Sequence, residues 1–174
     1  MIKRINGFDQ ESSHRFFIIN KIKTEPHLKS RYLVMNPYEL SMYNWVIDRR
    51  RKSTSYVIKI QLHMIFRAVA TCHYKGVVHR DIKLDNILIG TDLIPKLIDF
   101  GMSWMTDQPL PNNICGTGSY MAPELFKKNH VNTFENMKRI DSWALGVLVY
   151  FTAYDKNPFI CYPTPEKLWE TIST

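Results

Sequence analysis

Apolar residues recur along this chain in two rhythms. Between Ser55 and Tyr74, Val57, Ile58, Leu62, Ile65, Phe66, Val69 and Cys72 stand at steps of three and four, with Gln61 in register. That spacing lines one face of an α-helix, and Gly76 is placed to end it. Elsewhere the apolar runs are short and bounded by turn formers. Residues 16–23 and 31–35 read as strands joined by a turn at 24–27, a hairpin that Asn36-Pro37 closes off. Val77-Val78 is a very short strand, and residues 86–89 and 95–98 flank Gly90 as a second small hairpin. Further helices are predicted over 39–51, 122–128, 141–154 and 165–172, with a Pro-, Asn-, Gly- and Ser-rich loop over 101–119. The first fifteen residues are polar and irregular. The fold class is therefore α+β: mainly helical, with short strands that carry the polar motifs and a small N-terminal β-hairpin. Polar groups held on such a scaffold suggest a site.

Composition narrows the class. Of 174 residues, 45% are hydrophobic and 22% charged, which excludes disorder, collagen and low-complexity fibre. The net charge of +7 is compatible with acidic partners such as phosphates, nucleic acid or an anionic surface, but the excess is modest and suits general surface solvation better than nucleic-acid binding. The basic cluster Arg49-Arg50-Arg51-Lys52 reads as a solvated helix end favoured by the helix dipole, not as a specific nucleic-acid patch. Cys72, Cys115 and Cys161 show no metal-binding or disulfide spacing, which suits reduced thiols in an intracellular protein, cytoplasmic or nuclear. The N-terminus has no apolar signal core, and the longest uncharged apolar run, residues 142–154, is too short for a membrane span.

The chemistry is concentrated in His79-Arg80-Asp81-Ile82-Lys83-Leu84-Asp85-Asn86, set between apolar strands, and in Asp99-Phe100-Gly101 after the next strand. Two carboxylates and an amide on neighbouring short strands can converge on magnesium, a hard cation that prefers oxygen ligands. A nearby lysine can balance phosphate charge. The residues alone thus point to metal-assisted chemistry on a phosphate.

These segments resemble those of eukaryotic-type protein serine/threonine kinases. HRDIKLDN at 79–86 is similar to the catalytic loop, DFG at 99–101 to the magnesium-binding loop, and Ala122-Pro123-Glu124 to the APE that closes the activation segment. Gly116-Thr117-Gly118-Ser119-Tyr120 resembles the substrate-docking loop, and residues 141–146 the helix that supports the catalytic loop. The resemblance covers residues 16 to about 172 and implies a large kinase lobe with a remnant of the small one. It divides the chain into an irregular segment 1–15, small-lobe strands and hinge at 16–38, and an incomplete large lobe at 39–174.

By this resemblance Asp81 orients the substrate hydroxyl and accepts its proton, and Lys83 neutralises the transferred phosphoryl group. Asn86 and Asp99 hold Mg2+. ATP rests its adenine ring on Leu88 and meets the hinge backbone at Met35, Asn36 and Tyr38. Lys83, two residues after Asp81, and Thr117 mark the serine/threonine branch. Asp141 is implied to be buried and structural, and His79 and Phe100 to be packing residues. Arg80 before the catalytic aspartate is the arrangement linked to activation by loop phosphorylation, yet residues 112–114 carry no hydroxyl.

The chain departs from the pattern at both ends. No Gly-x-Gly-x-x-Gly occurs in it, and Arg139 is the only arginine after Glu124. The resemblance therefore implies a truncated kinase, weak or inactive as this chain, that acts on protein substrates. Two rival readings are a non-catalytic regulator that binds or mimics a kinase large lobe, with another kinase as its partner, and a basic phosphate- or nucleic-acid-binding domain built on residues 49–52.

Overall fold

The computed structural model describes residues 21–24, 31–34, 38, 40–48, 55–111, 113–126, 133–159, 167 and 170. Of the predicted hairpin, β1 (Lys21–Thr24) and β2 (Arg31–Val34) are antiparallel with Lys21 opposite Val34; Thr24, expected in the turn, is in the strand, and residues 16–20 and 35 lie outside the described residues.

Helix α1 (Met42–Ile47) is shorter than the helix predicted over 39–51. One long-range contact and one local cap trim its start. Leu40–Ser41 form β3, with Leu40 opposite Ile89, and the Ser41 hydroxyl then accepts the Asn44 N–H at 3.3 Å as an N-cap. Asp48 closes the far end, its N–H donating to the Asn44 carbonyl. Residues 49–52, the basic cluster, lie outside the described residues.

Helix α2 (Ser55–Tyr74) spans the predicted range and buries Gln61, Ile65, Ala68, Val69 and Cys72. The stripe is narrower than the sequence suggests, because Phe66 is 40% exposed. Gln61 takes a core position because its Nε2 donates to the Leu93 carbonyl at 3.1 Å, and burial of a polar group is tolerable when it is bonded. Gly76, at φ 73°, turns the chain out of the helix.

Next come β4 (Val77–Val78), β5 (Ile87–Ile89), β6 (Pro95–Leu97) and β7 (Trp104–Met105). They form two small antiparallel sheets, β3-β5-β6 and β4-β7. The stretch 101–119 is thus not wholly loop: β7 pairs with β4, and short 3-10 turns occupy Phe100–Met102 and Gly118–Tyr120. The helix predicted at 122–128 is a 3-10 turn, Pro123–Phe126, as far as it is described.

Helix α3 (Phe134–Tyr154) starts seven residues before the predicted position 141, where Thr133 caps it by accepting the Asn136 N–H at 3.2 Å. Its polar first turns concealed that start from a reading based on apolar runs. Of the helix predicted over 165–172, Lys167 and Glu170 are described, both helical. The main core joins Ile65, Val69 and Cys72 of α2 to Ile87, Ile89 and Leu97 of the sheet and to Ala144, Val147, Leu148 and Phe151 of α3. Every polar motif lies on the sheet and loops that this core fixes.

Candidate active site

One carboxylate from the long helix α3 sets the backbone of the catalytic loop. Asp141, 1% exposed, accepts the His79 N–H at 2.9 Å and the His73 Nε2–H at 2.8 Å on Oδ2, and the Arg80 N–H at 2.8 Å on Oδ1. Arg80 is held at φ 68°, a left-handed conformation that costs a non-glycine residue about 1–2 kcal/mol. Two charge-assisted bonds to consecutive N–H groups offset that cost. The structural role expected of Asp141 is therefore visible in its contacts.

His79 is fully buried. Its Nε2 lies 2.9 Å from the Ile98 carbonyl, and its Nδ1 accepts the Asp81 N–H at 3.3 Å. Both bonds together require the neutral ring protonated on Nε2. Burial holds the imidazole below its usual range, against the pull of Asp141. The ring meets Phe100 edge-on at 4.7 Å, so both residues pack as expected.

The turn at Arg80 delivers Asp81 into a closed set of polar contacts. Thr117 donates its hydroxyl to Asp81 Oδ1 at 2.7 Å, and Lys83 Nζ donates to the same hydroxyl at 2.7 Å. Lys83 Nζ also lies 3.0 Å from Asp81 Oδ2, which accepts from Asn86 Nδ2 at 2.9 Å. Asn86 Nδ2 bonds the Asp81 carbonyl as well, at 2.8 Å. Burial alone would push the Asp81 carboxyl up. The hydrogen bonds from Thr117, Lys83 and Asn86 and the Lys83 charge outweigh it and hold the group below the ordinary aspartate range.

The structure thus gathers Asp81, Lys83 and Asn86 and adds Thr117, which the sequence suggested only as a docking residue. His73 is also new: it sits at the polar end of a helical stripe and carries no signal until α3 is placed beside it.

Asp99 lies one strand away. The Ile98 N–H donates to the Asn86 carbonyl at 2.9 Å and so ties the two segments. Asp99 is exposed, adopts φ 57°, and accepts the Gly101 N–H at 3.3 Å. Among the described residues no group of three or more His, Cys, Asp or Glu is disposed to hold a metal. The donor set expected for magnesium is different: one carboxylate and one amide oxygen. Since Asn86 commits its Nδ2 to Asp81, its Oδ1 is the atom left for a hard cation, and the chemistry of the pair fits Mg2+.

Strand β5 alternates, with Ile87 and Ile89 buried and Leu88 half-buried on the other face of the sheet. Tyr38 is half-buried against Gly90, and burial followed by the charge of Asp92 raises its phenol. Met35 and Asn36 lie outside the described residues. Glu124 is half-buried rather than buried, so water can solvate its carboxylate. No helix among the described residues is long and apolar enough to cross a membrane.

Comparison with known proteins places this geometry. The protein kinase domain family model matches residues 8–173. The human NUAK family SNF1-like kinase 1 is 38% identical over 120 residues, which cover 68% of this chain and 17% of that protein. The mouse serine/threonine-protein kinase 33 is 30% identical over 154 residues, 81% of this chain and 30% of that protein. The chain therefore spans less than a third of the length of either relative. Among solved structures, the yeast RNA Pol II CTD kinase CTDK-1 complex contains a chain that superposes with a TM-score of 0.78 over 95% of this chain and 52% of its own, at 21% identity, a likeness of fold. With a kinase motif order in the sequence, a catalytic loop anchored on α3 and a family match over nearly the whole chain, this protein belongs to the protein kinase domain family, and its relatives are serine/threonine kinases.

Proposed function

We propose that the chain works as a protein serine/threonine kinase domain, which transfers the ATP γ-phosphate to Ser or Thr hydroxyls of protein substrates. The observation that carries this reading is the grip on Thr117: the Asp81 carboxylate and the Lys83 ammonium together hold an aliphatic hydroxyl, each at 2.7 Å. A substrate serine or threonine offers the same group.

In the proposed reaction the substrate oxygen bonds to the γ-phosphorus, ADP leaves, and the hydroxyl proton passes to Asp81. A depressed carboxyl is a weak base, which suffices because phosphoryl transfer runs through a loose transition state in which the nucleophile loses its proton late. Lys83 offsets the charge on the transferred group. Asn86 and Asp99 would hold Mg2+, which when bound neutralises phosphate charge. Leu88 would carry the adenine ring, with Met35, Asn36 and Tyr38 along its edge.

Residues 1–174 contain no Gly-x-Gly-x-x-Gly to close over the phosphates. We therefore expect the isolated chain to bind Mg-ATP weakly, with a dissociation constant on the order of a millimolar, about −4 kcal/mol. Its turnover should rise about a hundredfold or more when a Gly-rich loop and its strand lysine are supplied by fusion. Asp81→Asn should abolish that activity. A well-folded fusion that phosphorylates nothing would overturn the kinase reading in favour of a regulator that binds or mimics another kinase.

A further inference from the structure

The Arg80 side chain turns away from Asp81 into the segment 113–117. Arg80 is 9% exposed, and its Nη2 donates to the Asn113 carbonyl at 2.6 Å and to Asn113 Oδ1 at 3.1 Å. The same residue is pinned at its backbone by Asp141. Its carbonyl lies 3.0 Å from where a Cβ on Gly116 would stand, so the segment passes directly over it. Burial raises the neighbouring Cys115 thiol, against the charge of the Arg80 guanidinium. One residue beyond Gly116 is Thr117, whose hydroxyl bridges Lys83 and Asp81. The seat of Thr117 therefore depends on how Arg80 is gripped.

A buried guanidinium must find acceptors, and here Asn113 supplies two of them without a formal charge. The hydroxyls of the segment have partners elsewhere: Ser103 donates to the Phe100 carbonyl, Thr117 donates to Asp81, and Ser119 accepts from Asn157 Nδ2, while Thr106 faces Gly76. We propose that Asn113 is a positioning residue that holds the segment 113–117 on Arg80 and thereby seats Thr117 between Asp81 and Lys83. The consequence for activity rests on the kinase reading; the latch itself does not.

The test is the alkylation rate of Cys115 by iodoacetamide in the full 174-residue chain, confirmed phosphate-free by intact mass and read on the Cys115 peptide. The unphosphorylated wild type is expected to react far more slowly than the denatured chain. Asn113→Ala should accelerate the reaction by about tenfold, the weight of one charge-assisted hydrogen bond. Asn113→Asp, which keeps the acceptor, should stay within about twofold of wild type on the same scale. Amide exchange in α2 should not change in either variant, which separates loss of the latch from loss of the fold. Should Asn113→Ala fail to fold, Arg80→Lys keeps the charge but cannot span both acceptors, and it should release Cys115 as well.

The proposal is overturned if Cys115 reacts equally fast with and without the Asn113 side chain. It is also overturned if protection appears only after phosphorylation of Ser103, Thr106 or Ser119. In the lobe fusion, a protected Cys115 with no turnover at all would sink the kinase reading and leave the latch standing.

Discussion

The loop that carries Asp81 and the loop that carries Asp99 are held by different means. In the first, four side chains from three segments converge: Asp141 from α3 on the backbone, and Thr117 with the loop's own Lys83 and Asn86 on the carboxylate itself. In the second, an exposed carboxylate sits on a left-handed residue and accepts the N–H of Gly101. Both loops are tied to the fold, the second through Phe100 packed on His79, but the Asp81 carboxylate is enclosed by side chains while the Asp99 carboxylate faces solvent on a left-handed turn. The proposed roles account for the contrast. A group that aligns a hydroxyl with phosphorus must be held tightly, because small misplacements are costly. A cation ligand can complete its order when the cation and nucleotide arrive.

The comparison is tested most severely at Asp141. Asp141→Ala removes a buried charged acceptor from two N–H groups and a histidine, and should cost about 3–5 kcal/mol in urea unfolding. A loss under about 1 kcal/mol would show that the catalytic loop holds itself.

The pH dependence comes next. His79 is kept neutral with its pKa lowered by burial, so the unfolded chain binds the proton more readily. Stability from this group is full above about pH 6.5, the unfolded value, and is lost as pH falls below it, at up to about 1.4 kcal/mol per pH unit. Melting curves between pH 7 and 5 should show that slope, and His79→Gln should flatten it. Asp81 acts in the same sense at more acid pH: its lowered pKa contributes stability that disappears below the normal aspartate value.

A smaller effect is expected at the bridge. Thr117→Val removes the hydroxyl between Asp81 and Lys83 and should cost about 1–2 kcal/mol. NMR titration of Asp81 should show its pKa rising, since the hydrogen bond that lowers it is gone.

The smallest change in stability belongs to the second loop. Asp99→Asn suits the left-handed backbone and lies on the surface, so stability should stay within about 0.5 kcal/mol. Titration calorimetry should nevertheless show the Mg2+ dependence of ATP binding disappear. If Asp99→Asn destabilised the chain as much as Asp141→Ala, the contrast between the loops would fail.

Much of this was readable from the sequence. Helix α2 follows from its three-and-four spacing, and β4, β5 and β6 from short apolar runs between turn residues. The site residues Asp81, Lys83 and Asn86 are close in the chain, so any compact turn brings them near one another. Helix α3 was misjudged at its start, because the signal there is a Thr133 cap and not an apolar run. Helix α1 starts later than its composition suggests because pairing of Leu40 with Ile89 competes with helix, a contact made across almost fifty positions.

The local part is legible in the chain: which stretches form helix and strand, and the order of motifs that marks a kinase domain. Local spacing decides these, since neighbours in the chain share one element. Packing in three dimensions is what makes Thr117 bridge Asp81 and Lys83, brings His73 to Asp141, and gives Arg80 to Asn113. Those pairs lie more than thirty positions apart. Each is an ordinary polar residue in its own segment, and it gains a role only where packing of α2, α3 and the small sheets takes water away and leaves one partner within reach.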